Sequence, residues 1–197
     1  MDIESDGIET MIKNKAIFLD RDGTINVEKD YLYKISDFEF LPGVIDALRQ
    51  LQDAGYLLII VTNQSGIARG YYTEDDYRLL NDWMLEELKN QGINTTAVYY
   101  CPHHPEAKIA AYRINCGCRK PKLGMYELAV KEFNIDLSQS YAIGDKIRDC
   151  AICERGAQGY LIHHNEKPEV VEAVKNGEYE RVRYAENLLA AAQKILG

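Results

Sequence analysis

Five short apolar runs alternate with helix-patterned stretches along the chain, and each run stops abruptly at polar residues. The runs are residues 15–20, Tyr56–Val61, Thr96–Tyr100, 141–144 and Gly159–Ile162. Short runs without polar alternation fit strands buried on both faces, as in a parallel sheet. Between the first two, Val44, Ala47, Leu48 and Leu51 recur at helical spacing within residues 43–54. Thr73 reads as a helix cap followed by Glu74-Asp75-Asp76, and Tyr77, Leu80, Met84 and Leu88 form an apolar stripe that ends before Gly92. A helix over 122–134 and a turn plus helix over Asp145–Gly156 continue the alternation. This order predicts an α/β chain, a doubly wound and mainly parallel sheet. A length of 197 residues suits one ordinary domain with a full core. We place that domain at 15–197, after a loosely ordered arm at 1–14. Ala185–Leu196 reads as a terminal helix, and 163–180 carries no clear pattern.

Chemistry-bearing residues fall where these runs end. Asp20 and Asp22 follow the first run, Thr62 and Asn63 the second, and Asp145 the fourth. Lys120 follows the polar stretch after the third. The carboxyl ends of parallel strands lie on one edge of the sheet, so these groups can converge there. Carboxylates at 20 and 145 with a backbone oxygen suit a hard divalent cation, Mg²⁺ above all. Thr62 and Lys120 offer a hydroxyl and an ammonium to phosphoryl oxygens. A metal would keep Asp20 ionised, while Asp22, crowded by negative charge, is expected to hold a proton. One environment would then supply a nucleophile and a general acid for phosphate ester cleavage.

The net charge of −8 argues against a general binder of nucleic acid or anionic membrane, yet leaves room for a small anionic substrate. No apolar stretch is long enough for a transmembrane helix, and the acidic start of the chain does not resemble a signal peptide, so a cytoplasmic location is expected. Cysteines number five, an odd count that argues against a disulfide framework. Three of them lie with histidines in a polar insertion at 101–118. Cys101, His103, Cys116 and Cys118 would complete a closed tetrahedron for structural zinc, with His104 an alternative to His103. Metal there would order a loop with little core of its own and fix Arg119 and Lys120 behind the last ligand. Cys150 and Cys153 read as small core side chains.

Asp20-Arg21-Asp22-Gly23-Thr24, Thr62-Asn63, Lys120-Pro121 and Gly144-Asp145-Lys146 resemble the four ordered motifs of the haloacid-dehalogenase superfamily of phosphatases. The resemblance implies that Asp20 attacks phosphorus. It implies that Asp22 protonates the leaving alkoxide, then activates water, and lends its backbone carbonyl to Mg²⁺. Thr62 and Lys120 would hold the phosphoryl group, and Asp145 would complete the protein ligands with Asp149 behind it. Cys-Pro-His-His-Pro at 101–105, Cys-Gly-Cys-Arg-Lys-Pro at 116–121 and Thr-Asn-Gln-Ser-Gly-Ile-Ala-Arg-Gly at 62–70 narrow the likeness. They resemble the heptose bisphosphate phosphatases of the histidinol-phosphatase-like branch, which lack a large cap domain.

That likeness implies a small phosphorylated sugar as substrate, and a monomer is expected. It implies substrate contacts from Glu28, Lys29, Asp30 and Tyr31, from Thr62, Asn63, Gln64 and Ser65, from Arg119 and Lys120, and from Lys146. Lys122-Leu123-Gly124-Met125 departs from the His-Pro that more often precedes Gly-Met in that group. Histidinol-phosphate phosphatases are the close rival, and a non-catalytic zinc-binding interaction module is the remote one.

Overall fold

The computed structural model describes residues 13–162 and 165–197. Six parallel strands form one sheet in the order β3-β2-β1-β4-β5-β6. They are β1 (Ala16–Leu19), β2 (Leu57–Asn63), β3 (Thr95–Cys101), β4 (Tyr141–Gly144), β5 (Gln158–Ile162) and β6 (Val182–Ala185). The helices are α1 (Val44–Asp53), α2 (Ser65–Arg69), α3 (Glu74–Asn90), α4 (Gly124–Glu132), α5 (Pro168–Lys175) and α6 (Leu188–Leu196). The strand order reverses between β1 and β4, which opens a crevice at the carboxyl ends of those two strands.

Alternation along β1 divides the core. Ala16 and Phe18 face one apolar layer, with Met125, Tyr126 and Ala129 of α4. Ile17 and Leu19 face the other, with Ala47, Leu48 and Leu51 of α1, Met84 and Leu88 of α3, and Ala191 and Ala192 of α6. Both faces of the strand are therefore covered, which is why its sequence is apolar throughout. Thr73 caps α3 in a reciprocal box with Asp76, and the expected stripe Tyr77, Leu80, Met84 and Leu88 is buried.

Several elements differ from the sequence expectation. Residues 163–180, left unassigned, include α5, and the unforeseen β6 follows at 182–185. β6 lies at the sheet edge, where Arg183 faces solvent while Val182 and Ala185 are buried, so its four residues carry a weak signal. Ala185 ends that strand, and the terminal helix starts only at Leu188, where the Asn187 side chain accepts from the Ala190 N–H at 2.8 Å. The helix after β4 is a nine-residue 3₁₀ helix, Ile147–Arg155. Thr62 and Asn63 are the last residues of β2, not a turn beyond it. Most of the N-terminal arm, residues 1–12, lies outside the described residues. At its end, Asn14 is tied by backbone hydrogen bonds to Asn134 and Asp136. Among the described residues no helix is long and apolar enough to cross a membrane.

Candidate active site

β1 ends at Leu19, and the Asp20 N–H donates to the Ile143 carbonyl of β4 at 3.0 Å. That bond sets Asp20 over the point where the strand order reverses. Lys120 arrives from the end of the 101–118 loop and is held by its backbone. Its N–H donates to Asn63 Oδ1 at 3.0 Å, and its carbonyl accepts from Asn63 Nδ2 at 3.2 Å. Asn63 thus spends its amide on placing Lys120. The Lys120 ammonium is buried and donates to Asp20 Oδ1 at 2.9 Å and to the Val61 carbonyl at 2.6 Å. It also lies 2.7 Å from Asp149 Oδ1. Two hydrogen bonds and one close ion pair thus hold the ammonium, while Asp149 Oδ1 has no hydrogen-bond donor of its own among the described residues.

Asp145 follows β4, and its Oδ2 accepts from Asn165 at 3.1 Å. Carboxylate oxygens of Asp20, Asp145 and Asp149 all lie within 4.8 Å of one another. A Cβ on Gly23 would stand 2.3 Å from Asp145 Oδ2, and Gly23 has φ +79°, so only glycine fits here. Asp149 Oδ2 accepts from the Lys146 N–H at 3.0 Å, which ties this carboxylate to the first turn of the 3₁₀ helix.

The electrostatics follow from three buried acids sharing one buried cation. Burial first, then Asp149, pushes Asp20 up to about 6, against the opposing pull of Lys120. Burial first, then Asp20 and Asp149, pushes Asp145 up to about 7. Burial draws Lys120 down, but the carboxylates of Asp149 and Asp20 outweigh it and raise the lysine. The donor set is hard oxygen with excess negative charge, which fits Mg²⁺. Acids with raised values bind protons more tightly in the folded chain than in the unfolded one. Without a bound cation, stability is therefore expected to fall as pH rises from about 4 to about 7. Asp145→Asn should flatten that slope and weaken Mg²⁺ binding by roughly ten-fold or more. Thermal melts across this pH range and calorimetric titration with Mg²⁺ check both.

Asp22 departs from expectation in part. Asp20 and Glu28 do bring negative charge near it, as the sequence suggests, but its hydrogen-bond partners are all donors. Arg21 clamps it through Nε and Nη2 at 2.9–3.1 Å, Asn26 donates at 3.0 Å and Gln64 at 2.9 Å. Gln64 also donates to Thr62 Oγ1 at 2.9 Å and accepts from the Tyr72 hydroxyl at 2.6 Å. The Arg21 guanidinium is fully buried, with Tyr77 beneath it.

These groups floor a cavity of about 380 Å³. Of the residues that the resemblance named as substrate contacts, Glu28, Asp30, Tyr31, Asn63, Gln64, Ser65, Arg119 and Lys146 line it. Lys29 does not. Its ammonium donates to the Asp37 carbonyl and pairs with Glu39 on the outer side of the loop. Arg69, Tyr72 and Arg148 line the cavity without having been singled out from sequence. Arg69 stands at the end of α2, in the run quoted above; Arg148 sits at the start of the 3₁₀ helix, where the sequence carries no motif. A larger groove of about 490 Å³ lies beside the 3₁₀ helix and β6, with Ile147, Cys150 and Val182 in its wall. It has no buried carboxylate, so the chemistry belongs to the smaller cavity.

The cysteine–histidine loop forms a second cluster. Cys101 Sγ is 3.5 Å from Cys116 Sγ, 3.2 Å from Cys118 Sγ and 3.8 Å from His103 Nδ1, and Cys118 is 3.5 Å from that nitrogen. Zinc distances of about 2.3 Å to sulfur and about 2.0–2.1 Å to nitrogen imply tetrahedral edges of about 3.5–3.8 Å. The four side chains are thus spaced to hold zinc. His104 is turned away, with Nδ1 accepting from the Glu106 N–H and Nε2 3.4 Å from Arg69. The His103 carbonyl accepts from Arg119 at 3.3 Å, so the cluster also aims a cavity residue. Cys150 and Cys153 are buried core side chains with free thiols.

Residues 15–165 match a family model described as polynucleotide kinase 3 phosphatase. The chain is 52% identical over 141 residues to the D-glycero-beta-D-manno-heptose-1,7-bisphosphate 7-phosphatase of Haemophilus ducreyi, covering 71% of this chain and 77% of that relative. It is 49% identical over 134 residues to the protein of the same name from Escherichia coli K12, covering 68% and 70%. Among solved structures it resembles D,D-heptose 1,7-bisphosphate phosphatase from B. bronchiseptica complexed with magnesium and phosphate. The TM-score there is 0.77 at 32% identity, over 92% of this chain and 98% of that one.

Proposed function

Because this chain belongs to the D-glycero-beta-D-manno-heptose-1,7-bisphosphate 7-phosphatase family, within the haloacid-dehalogenase superfamily, we propose that it removes the C7 phosphate of that sugar through an aspartyl-phosphate on Asp20. The observation that carries this reading is the buried contact of Asp20 with Lys120 at the rim where Asp145 also stands. Asp20 presents its free carboxylate oxygen to phosphorus. A bond forms between that oxygen and phosphorus as the bond to O7 breaks. Asp22, fixed at the cavity wall by Arg21, Asn26 and Gln64, takes up a proton as the phosphate dianion binds beside it and gives that proton to O7. It then takes a proton from the water that attacks the aspartyl-phosphate, which releases phosphate and restores Asp20. Thr62, which accepts from Gln64, donates its own hydroxyl proton to a phosphoryl oxygen. Asp20, Asp145 and the Asp22 carbonyl would hold Mg²⁺, and when bound the ion supplies positive charge at the phosphoryl oxygens. Cys101, His103, Cys116 and Cys118 would hold zinc in a structural role.

A bisphosphate suits the rim better than histidinol phosphate does. Among the described residues Arg69 and Arg119 have no carboxylate partner, and Arg148 has only Asp149 at 4.0 Å. Burial first, then Arg148 and Arg69 nearby, draws the Arg119 guanidinium below its usual value, so the three cations crowd one another. A second phosphate relieves that crowding, whereas the cationic end of histidinol would add to it. The small cavity and the net charge of −8 favour a compact anion over a polynucleotide. The product, heptose 1-phosphate, keeps the anomeric phosphate that nucleotide activation for surface glycan synthesis requires. The free thiols of Cys150 and Cys153 support a reducing, cytoplasmic setting.

Phosphate release from heptose bisphosphate and from histidinol phosphate, under equal conditions with Mg²⁺, tests the assignment. The expected preference for the bisphosphate is about 100-fold or more in kcat/KM, with Arg119→Ala raising its KM by roughly ten-fold. A preference for histidinol phosphate moves the enzyme to the rival branch. No turnover of any phosphate ester would leave a zinc-binding interaction module.

A further inference from the structure

We propose that Tyr71 is a positioning residue for substrate selection, holding Tyr31 as an aromatic wall at the cavity mouth against which the carbon chain of the sugar lies. This rests on the sugar-phosphate reading of the cavity.

Asp30 and Tyr31 have φ of +40° and +64°, two consecutive side-chain-bearing residues in the left-handed region. A bulky aromatic residue rarely stays there unless its surroundings fix it. Tyr31 lines the cavity and is nonetheless 40% exposed, so burial does not fix it. What meets it is Tyr71, from the turn after α2, with ring centroids 4.6 Å apart. One step inward, Tyr33 stacks on Tyr72 at 5.5 Å. Two tyrosines of the β1–α1 loop therefore zip onto two adjacent tyrosines beyond α2.

Tyr71 is itself backed by the zinc loop. Lys108 Nζ lies 5.6 Å from its ring, and the Ile109 N–H donates to the Ala68 carbonyl at 3.1 Å. Tyr71 is 49% exposed and does not line the cavity, so its contribution must pass through Tyr31. The cavity lining thus combines an aromatic ring, Tyr31, with the guanidiniums of Arg69, Arg119 and Arg148. A phosphorylated sugar matches both, with C–H groups for the ring and an anion for the guanidiniums.

The test compares Tyr71→Ala and Tyr71→Phe with wild type. Substrates are a panel of sugar phosphates headed by heptose bisphosphate, and glycerol 2-phosphate, which is too short to reach the wall. Tyr71→Ala is expected to raise KM for the best sugar phosphate by about five-fold or more. The kcat should hold within about two-fold, and kcat/KM for glycerol 2-phosphate should not change. Tyr71→Phe, which keeps the ring, should behave as wild type. If the alanine protein melts early, Tyr71→Leu retains bulk without the ring and should give the same KM shift. Equal effects on both substrates, or none on either, overturn the proposal. Wild type that ignores heptose bisphosphate but cleaves another sugar phosphate sinks the substrate assignment alone, and the Tyr71 comparison is then read on that sugar. Wild type that cleaves glycerol 2-phosphate and no sugar phosphate overturns both.

Discussion

Lys120→Met is expected to abolish turnover and weaken the fold in one step. The Lys120 ammonium is the only buried cation that touches Asp20 and Asp149 among the described residues, and Asp145 lies beside them. Methionine fills similar space but leaves three buried carboxylates without a buried counter-charge. Removing one partner of a buried ion pair costs about 3–5 kcal/mol. For a chain of this size that lowers the melting temperature by roughly 10 °C. Loss of the cation facing the phosphoryl group should cut kcat by about 10³-fold or more. The sign with pH is also fixed. Asp20 already stands at about 6 against the pull of Lys120 and rises further without it, beside Asp145 at about 7. The folded variant therefore holds protons that its unfolded chain does not, and its deficit should shrink as pH falls from 8 to about 5. Thermal melts of the metal-free proteins at both ends of this range, beside steady-state phosphate release, give the answer. A variant that melts like wild type at pH 8 would remove the basis for the cluster described here.

Asp20→Asn separates chemistry from stability in the opposite direction. The amide oxygen can still accept from Lys120, but it is a far poorer nucleophile toward phosphorus. Turnover should fall by about 10⁴-fold or more, as for a residue that forms a covalent intermediate. The metal-free melting temperature should rise at pH 8, because one charge leaves a site where burial and Asp149 disfavour it. Opposite stability shifts for two adjacent, inactive variants are hard to obtain from nonspecific damage. Residual activity within about ten-fold of wild type would assign the nucleophile elsewhere.

The floor of the site was legible because it is local. Asp20 and Asp145 each stand directly after an apolar run, and a parallel strand delivers its last residue to one edge of the sheet. Lys120 was legible through the metal-ligand spacing just before it. The walls were harder, because they depend on distant pairings. Gln64 reaches Asp22 across 42 positions, and Tyr71 meets Tyr31 across a fold that neither sequence neighbourhood announces. The donors on Asp22 were not legible either, since Gln64 comes from just beyond β2 and Arg21 folds back to clamp its own neighbour. Lys29 lies next to cavity residues in sequence, but its ammonium is taken by the Asp37 carbonyl and Glu39. Asn165 supports Asp145 from a stretch without any motif. β6 was lost to its brevity and edge position, and the 3₁₀ helix after β4 was read only as a helix.

The most direct test of attack by Asp20 is to catch the acyl phosphate. Enzyme mixed with heptose bisphosphate and Mg²⁺ is quenched within one turnover and treated with borohydride, which reduces an acyl phosphate and leaves a free carboxylate intact. Peptide mass spectrometry should then find homoserine at position 20 and nowhere else, and none in Asp20→Asn. Product formed in that first turnover with Asp20 unmodified, or homoserine at another carboxylate, would contradict the account.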